Sequence, residues 1–197
     1  MQHGKSLFAI RCVKAEDKSS FDKDLARWKL LSNSDNLHLV QILATFELNE
    51  VFYIITPWAD GNLFDFWATH PQPIRSEGMT NWIATQCLGI ASGLNAIHQM
   101  VRITAPSPHG HISPLTVLWF KDDNSSLHFG SLKITDIDGL EIFRPRRASS
   151  AARPPRVDFT AYTPPKWELI GHVEDPRRRW LSWDIWMIGC LFLDFAT

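Results

Sequence analysis

The residues best suited to chemistry lie in two short segments near the middle of the chain. The first, His109-Gly110-His111-Ile112-Ser113-Pro114-Leu115-Thr116, leads into the apolar run Val117-Leu118-Trp119-Phe120. The second is Leu132-Lys133-Ile134-Thr135-Asp136-Ile137-Asp138-Gly139-Leu140. An imidazole such as His111 can take a proton near neutral pH. In an extended segment Asp136 and Asp138 point the same way, so their carboxylates can share a divalent cation. A polar turn with solvated carboxylates is the other reading of that pair. His109 reads as a packed structural residue, since a zinc site at His109 and His111 would need two more ligands that the neighbourhood does not supply.

Other elements must position these segments, and the pattern of apolar residues outlines them. Ser6 to Val13 is a β-leaning run, and Asp22 to Leu31 spaces Leu25, Trp28 and Leu31 as an amphipathic helix does. His38 to Phe46 and Val51 to Thr56 read as strands of a hairpin turning at Glu47-Leu48-Asn49-Glu50. Pro57 to Gly61 breaks the second strand, and Leu63 to Ala68 reads as a short helix. Thr80 to Gln99 is a longer helix, with Ile83, Cys87, Ile90, Leu94 and Ile97 along one stripe. Arg144 to Arg156 lacks any hydrophobic period and reads as a solvated loop. Asp184 to Phe195 is a helix apolar nearly all round. The expected fold class is therefore α+β, with strands gathered toward the N-terminus and helices after them.

Composition narrows the function classes. The 197 residues carry 20 basic and 21 acidic side chains, so no global field attracts nucleic acid or an anionic membrane. With 45% hydrophobic residues the chain is globular rather than disordered. Cys12, Cys87 and Cys190 lie far apart without metal spacing and read as reduced thiols. The N-terminus lacks the apolar run of a signal peptide, and Ile185 to Leu193 is too short to span a bilayer. These features predict an intracellular, cytoplasmic protein.

The order of motifs resembles that of eukaryotic protein kinases, over about 190 residues, and within them the fungal serine/threonine kinase-like group. The two central segments match the frame of the catalytic loop H-x-D-x-K-x-x-N and of D-F-G. The resemblance implies a two-lobed protein-kinase-like fold, with residues 1–58 as a small-lobe remnant and 59–197 as a mainly helical large-lobe portion. That fold would be incomplete at both ends, lacking the Gly-rich-loop strands and stopping at the central helix of the large lobe. It places Phe8-Ala9-Ile10-Arg11 on the strand whose Lys grips the nucleotide phosphates, with Arg11 in that position and Asp24 for the helix Glu. An ordinary surface ion pair is the other reading of Arg11 and Asp24. Thr56 takes the gatekeeper position, Pro57 to Ala59 the hinge, and Ala9 and Leu118 the two sides of an adenine pocket; packed core is the alternative for these.

The resemblance also shows where the chemistry has gone. His111, Ser113 and Thr116 stand at the catalytic Asp, the Lys and the Mg²⁺-binding Asn. Asp136 stands at the D of D-F-G, with Asp138 nearby as a second metal candidate. Gly110 replaces the Arg of H-R-D, Lys166 the Glu of A-P-E, and Asp184 keeps the buried helix Asp that braces the loop. Arg146-Arg147-Ala148-Ser149 resembles a site for a basophilic kinase, making Ser149 a candidate phosphosite. ATP and Mg²⁺ are the cofactors implied by the family, with binding expected to be weak or absent because no glycine-rich loop precedes Arg11. The expected function is a pseudokinase acting as a binding or scaffold module toward a protein partner. A divergent serine/threonine kinase using His111 as base, and an incomplete chain without independent function, are the alternatives. The apolar C-terminal helix adds an expectation of self-association.

Overall fold

The computed structural model describes residues 7–13, 35–70, 76–101, 109–121, 129–135, 159–164 and 176–196, together with Asp22, Leu25, Ala26 and Lys29. The architecture is α+β, with two small antiparallel sheets and three α-helices among the described residues. The strands are β1 (Phe8–Val13), β2 (Ala44–Leu48), β3 (Val51–Pro57), β4 (Gly61–Asn62), β5 (Val117–Phe120) and β6 (Ser131–Ile134). The helices are α1 (Leu63–Thr69), α2 (Glu77–Val101) and α3 (Pro176–Ala196), and a 3₁₀ turn covers Phe159–Tyr162. Four described positions in the interval predicted as the first helix, Asp22, Leu25, Ala26 and Lys29, are helical.

The first sheet has the order β1-β3-β2. Its hairpin is tighter than the sequence suggests, because β2 runs through Leu48 and the turn shrinks to Asn49-Glu50. Both turn residues have positive φ, 51° and 61°, as a two-residue turn matching strand twist requires. The register sets Ile10 beside Ile55 and Ile55 beside Ala44, and Cys12 beside Tyr53 and Tyr53 beside Phe46. The opposite face carries Ala9 next to Thr56 and Arg11 next to Ile54.

The predicted strand from His38 to Phe46 divides instead. Its second half becomes β2, while its first half leaves the first sheet and lies beside β6, joined by a parallel bridge at Leu39 and Ile134. Val40 donates to the Ile134 carbonyl at 2.9 Å, and Ile134 donates to the His38 carbonyl at 2.8 Å. The second sheet is β4-β5-β6, so this short segment borders β6 on the side away from β5.

Between the sheets, Gly61 and Asn62 open α1. Asn62 Oδ1 accepts from Asp65 N–H at 3.0 Å and Asp65 Oδ2 accepts from Asn62 N–H at 2.9 Å, a reciprocal cap. Gly61 is required by proximity, since a Cβ there would lie 2.7 Å from Asp65 Cβ. The main core collects Leu63, Phe66, Trp82, Ile90, Leu94, Ile97, Val117, Trp119, Leu132, Ile134 and, from α3, Met187, Ile188, Leu191 and Phe195. Phe66 stacks on Trp82 with ring centres 4.7 Å apart and meets Trp119 edge-on at 5.4 Å, the arrangements that aromatic quadrupoles favour.

Helix α2 follows its predicted stripe, with Ile90, Leu94 and Ile97 buried and Ile83 and Cys87 half-buried. Trp82 and Gln86 widen the stripe toward β6. Helix α3 begins eight residues before the predicted start at Asp184. It is not enclosed all round: Ile185, Trp186 and Leu193 are exposed. No helix among the described residues is long and apolar enough to cross a membrane.

Candidate functional site: a loop braced by a buried aspartate

The 109–116 segment is a loop that tightens into a turn before β5 begins at Val117. It is held from beneath by Asp184, whose side chain has no solvent exposure. Asp184 Oδ2 accepts from the His109 backbone N–H at 2.9 Å, and Oδ1 accepts from Gly110 N–H at 2.8 Å. His98, from the last turn of α2, places Nε2 2.8 Å from Asp184 Oδ2. One buried carboxylate thus ties α2, α3 and the loop together, and three donors satisfy its oxygens.

The loop backbone is shaped for this contact. Gly110 has φ +76° with open space where a Cβ would stand. A larger residue would fit the space, but it would pay about 1–2 kcal/mol for the left-handed conformation. The His109 ring is buried and lies between two backbone groups. Its Nδ1 accepts from His111 N–H at 3.3 Å, so Nε2 carries the proton and donates to the Thr135 carbonyl at 2.8 Å. The His109 ring fastens the loop to the end of β6.

The three positions suspected of chemistry behave differently from one another. Ser113 is fully buried, and its Oγ has no hydrogen-bond partner among the described residues. Thr116 Oγ1 is engaged within the loop: it lies 2.8 Å from the His111 carbonyl and 3.1 Å from the Ser113 carbonyl, and accepts from Ser113 N–H at 3.0 Å. His111 alone is exposed. Ser113 Oγ is thus enclosed, while Thr116 Oγ1 serves the loop's own turn.

The nucleotide candidates are distributed over both sheets. Ala9 and Thr56 are register neighbours, with Thr56 buried, and Arg11 follows on the same face. Ala59 lies half-buried in the connection between β3 and β4. Leu118 sits on β5, opposite Asn62 on one side and Lys133 on the other. Asp24, Asp136, Asp138, Ser149 and Lys166 lie outside the described residues. Among the described residues no group of three or more His, Cys, Asp or Glu side chains could hold a metal ion.

Sequence reasoning missed the support along β6. Leu132 N–H donates to Gln86 Oε1 at 2.8 Å, and the Leu132 carbonyl accepts from His38 Nδ1 at 2.7 Å. These side chains stand in for a neighbouring strand and satisfy an edge that would otherwise be open. Trp82 and Trp119 donate their indole N–H groups to the carbonyls of Gly130 and Phe129, each at 2.7 Å. The His38 ring lies against Gly89 of α2, where a Cβ would come within 2.0 Å of Nε2. Burial holds the His38 imidazole below its ordinary pKa. The bond to the Leu132 carbonyl works against that shift and the charge of Lys133 adds to it. Lys133 is itself lowered by burial. A polar residue before an apolar run and two glycines in a helix were the available signals, but neither names its partner.

Farther along α3, Tyr162 of the 3₁₀ turn donates its hydroxyl to Asp194 Oδ2. Burial, that hydrogen bond, and the charges of Asp194 and Cys190 hold the phenol far above its usual range. The Cys190 thiol is raised by burial and by Asp194, against a smaller opposing effect from its own backbone, and the Cys87 thiol is raised by burial. Neither is a depressed-pKa thiol of the kind nucleophilic catalysis uses.

No family model matches the chain. No curated protein matches it either.

Proposed function

We propose that the chain is a protein-kinase-like scaffold that serves as a binding module for a protein partner and does not transfer phosphate. The observation that carries this reading is the contrast inside one loop. Its brace is intact, with buried Asp184 holding the backbone of His109 and Gly110. Two of its three polar positions are occupied otherwise, with Ser113 Oγ fully enclosed and Thr116 Oγ1 engaged by the loop's own backbone. A hydroxyl that contacts a transferred phosphoryl or ligates Mg²⁺ must be reachable and have lone pairs to spare. Losing one transition-state stabiliser typically costs ~10²–10³ in rate, and several are replaced here.

Ala9 beside Thr56, on the face that also carries Arg11, supports the small-lobe part of the reading. Arg11 is a planar fork where the family uses a compact ammonium, so ATP binding is weak or absent. The test is a calorimetric titration with Mg-ATP at millimolar concentration, followed by a phosphotransfer assay on a generic protein substrate. The expected result is no micromolar binding and no incorporation. Micromolar binding, or incorporation that vanishes in Asp136→Ala, would replace this reading with that of a divergent kinase using exposed His111 as base.

A further inference from the structure

We infer that the outer face of the β1-β3-β2 sheet is the contact surface for a second copy of this chain. The register leaves this face without a charge: every side chain that β1, β2 and β3 direct to it is apolar, apart from the Cys12 thiol and the Tyr53 hydroxyl. Four large residues on it stand roughly half bare, Phe8 at 53%, Ile10 at 61%, Phe46 at 43% and Leu48 at 55%. Phe46 and Tyr53 stack in parallel across β2 and β3, with centroids 4.7 Å apart and planes at 6°, which gives the face a rigid aromatic centre.

Size and charge select the occupant. A large side chain presents ~150–250 Å², so each half-bare residue leaves ~100 Å², and the partly covered residues of β3 bring the face to on the order of 500 Å². That is in the range where apolar patches mark interaction surfaces. A pair of such faces would bury ~1,000 Å², the lower limit for a specific interface. Only a partner bringing an equally broad, flat, apolar face reaches that limit, and a two-fold axis supplies one from the same chain. Self-docking sets like against like, which charged residues would oppose and this face permits. The two sheets would stack ~10 Å apart, as in a β-sandwich. Exposed Glu50 in the hairpin turn, at the end of the face, acts against an anionic membrane as the alternative occupant. The exposed residues of α3 make a smaller patch, interrupted by Ser182, Gly189 and Asp194.

Sedimentation equilibrium of the full chain from about 1 to about 100 µM tests the inference. The expected result is a concentration-dependent dimer whose Kd rises at least ~10-fold in Phe46→Glu, with the circular dichroism spectrum unchanged, and stays the same in Leu193→Glu on α3. Should Phe46→Glu fail to fold, Ile10→Thr on β1 gives the same readout while keeping a β-branched residue. A monomer throughout the range overturns the inference. So does a dimer that withstands both sheet variants, a dimer that Leu193→Glu dissolves, or a wild-type monomer that partitions onto neutral phosphatidylcholine vesicles.

Discussion

Asp184 and Ser113 show how opposite two buried polar side chains can be. Removing Asp184 leaves the N–H groups of His109 and Gly110 and the His98 ring without their acceptor, at a carboxylate position with no solvent exposure. Asp184→Ala should therefore cost ~3–5 kcal/mol, a large share of the ~5–15 kcal/mol of a typical domain. Urea denaturation would show this as a lower midpoint with an unchanged slope. Ser113 has a hydroxyl with nothing to bond among the described residues, so Ser113→Ala deletes an unsatisfied group and keeps the shape of the site. It should raise stability by ~1 kcal/mol, read in the same denaturation experiment. A destabilised Ser113→Ala would mean that the hydroxyl has a partner in solution.

At the scale of elements, the approach of α2 to the 38–40 segment depends on two glycines. A Cβ at Gly89 would overlap the His38 ring, and one at Gly93 would lie 3.2 Å from the His38 carbonyl oxygen. In an isolated helix Gly89→Ala would stabilise by ~1 kcal/mol. Here it should destabilise by ~1–3 kcal/mol, because the ring must move and its bond to the Leu132 carbonyl is lost. A double-mutant cycle by thermal denaturation isolates the cause. In a His38→Ala background the same Gly89→Ala change should be neutral or stabilising, and an equal cost in both backgrounds would place the conflict elsewhere.

At the scale of the whole molecule, the same histidine links global stability to pH. Its folded-state pKa is lowered, so the unfolded chain takes up the proton first as the solution is acidified. The contribution is complete above the unfolded value of ~6.5 and is lost as pH falls from there through the folded value. Stability measured by denaturant should fall as the pH drops below the unfolded value of ~6.5, with a slope below the ~1.4 kcal/mol per pH unit of one full proton. His38→Gln should flatten this window. An unaltered slope in that variant would assign the titration to another group.

Local pattern was enough to mark the existence of β1, β3, α1, α2 and α3, because hydrophobic period, turn chemistry and breakers act over a few residues. The motif frame singled out Asp184 and His109, and both are buried in the fold. What the sequence by itself could not determine is where each backbone finds its partner. His38 to Phe46 has one uninterrupted β-prone pattern, yet its first half serves β6 and its second half β3, since pairing depends on elements nearly a hundred residues away. Gly89 reads as an ordinary flaw in a helix until His38 occupies the space it leaves. Ser113 and Thr116 look like available hydroxyls in a list of residues, and only the folded loop turns one into the core and the other onto its own backbone. Composition and period are local quantities, whereas accessibility and hydrogen-bond partnership belong to the assembled fold, so the elements were legible in the sequence and the fate of the candidate site was decided by packing.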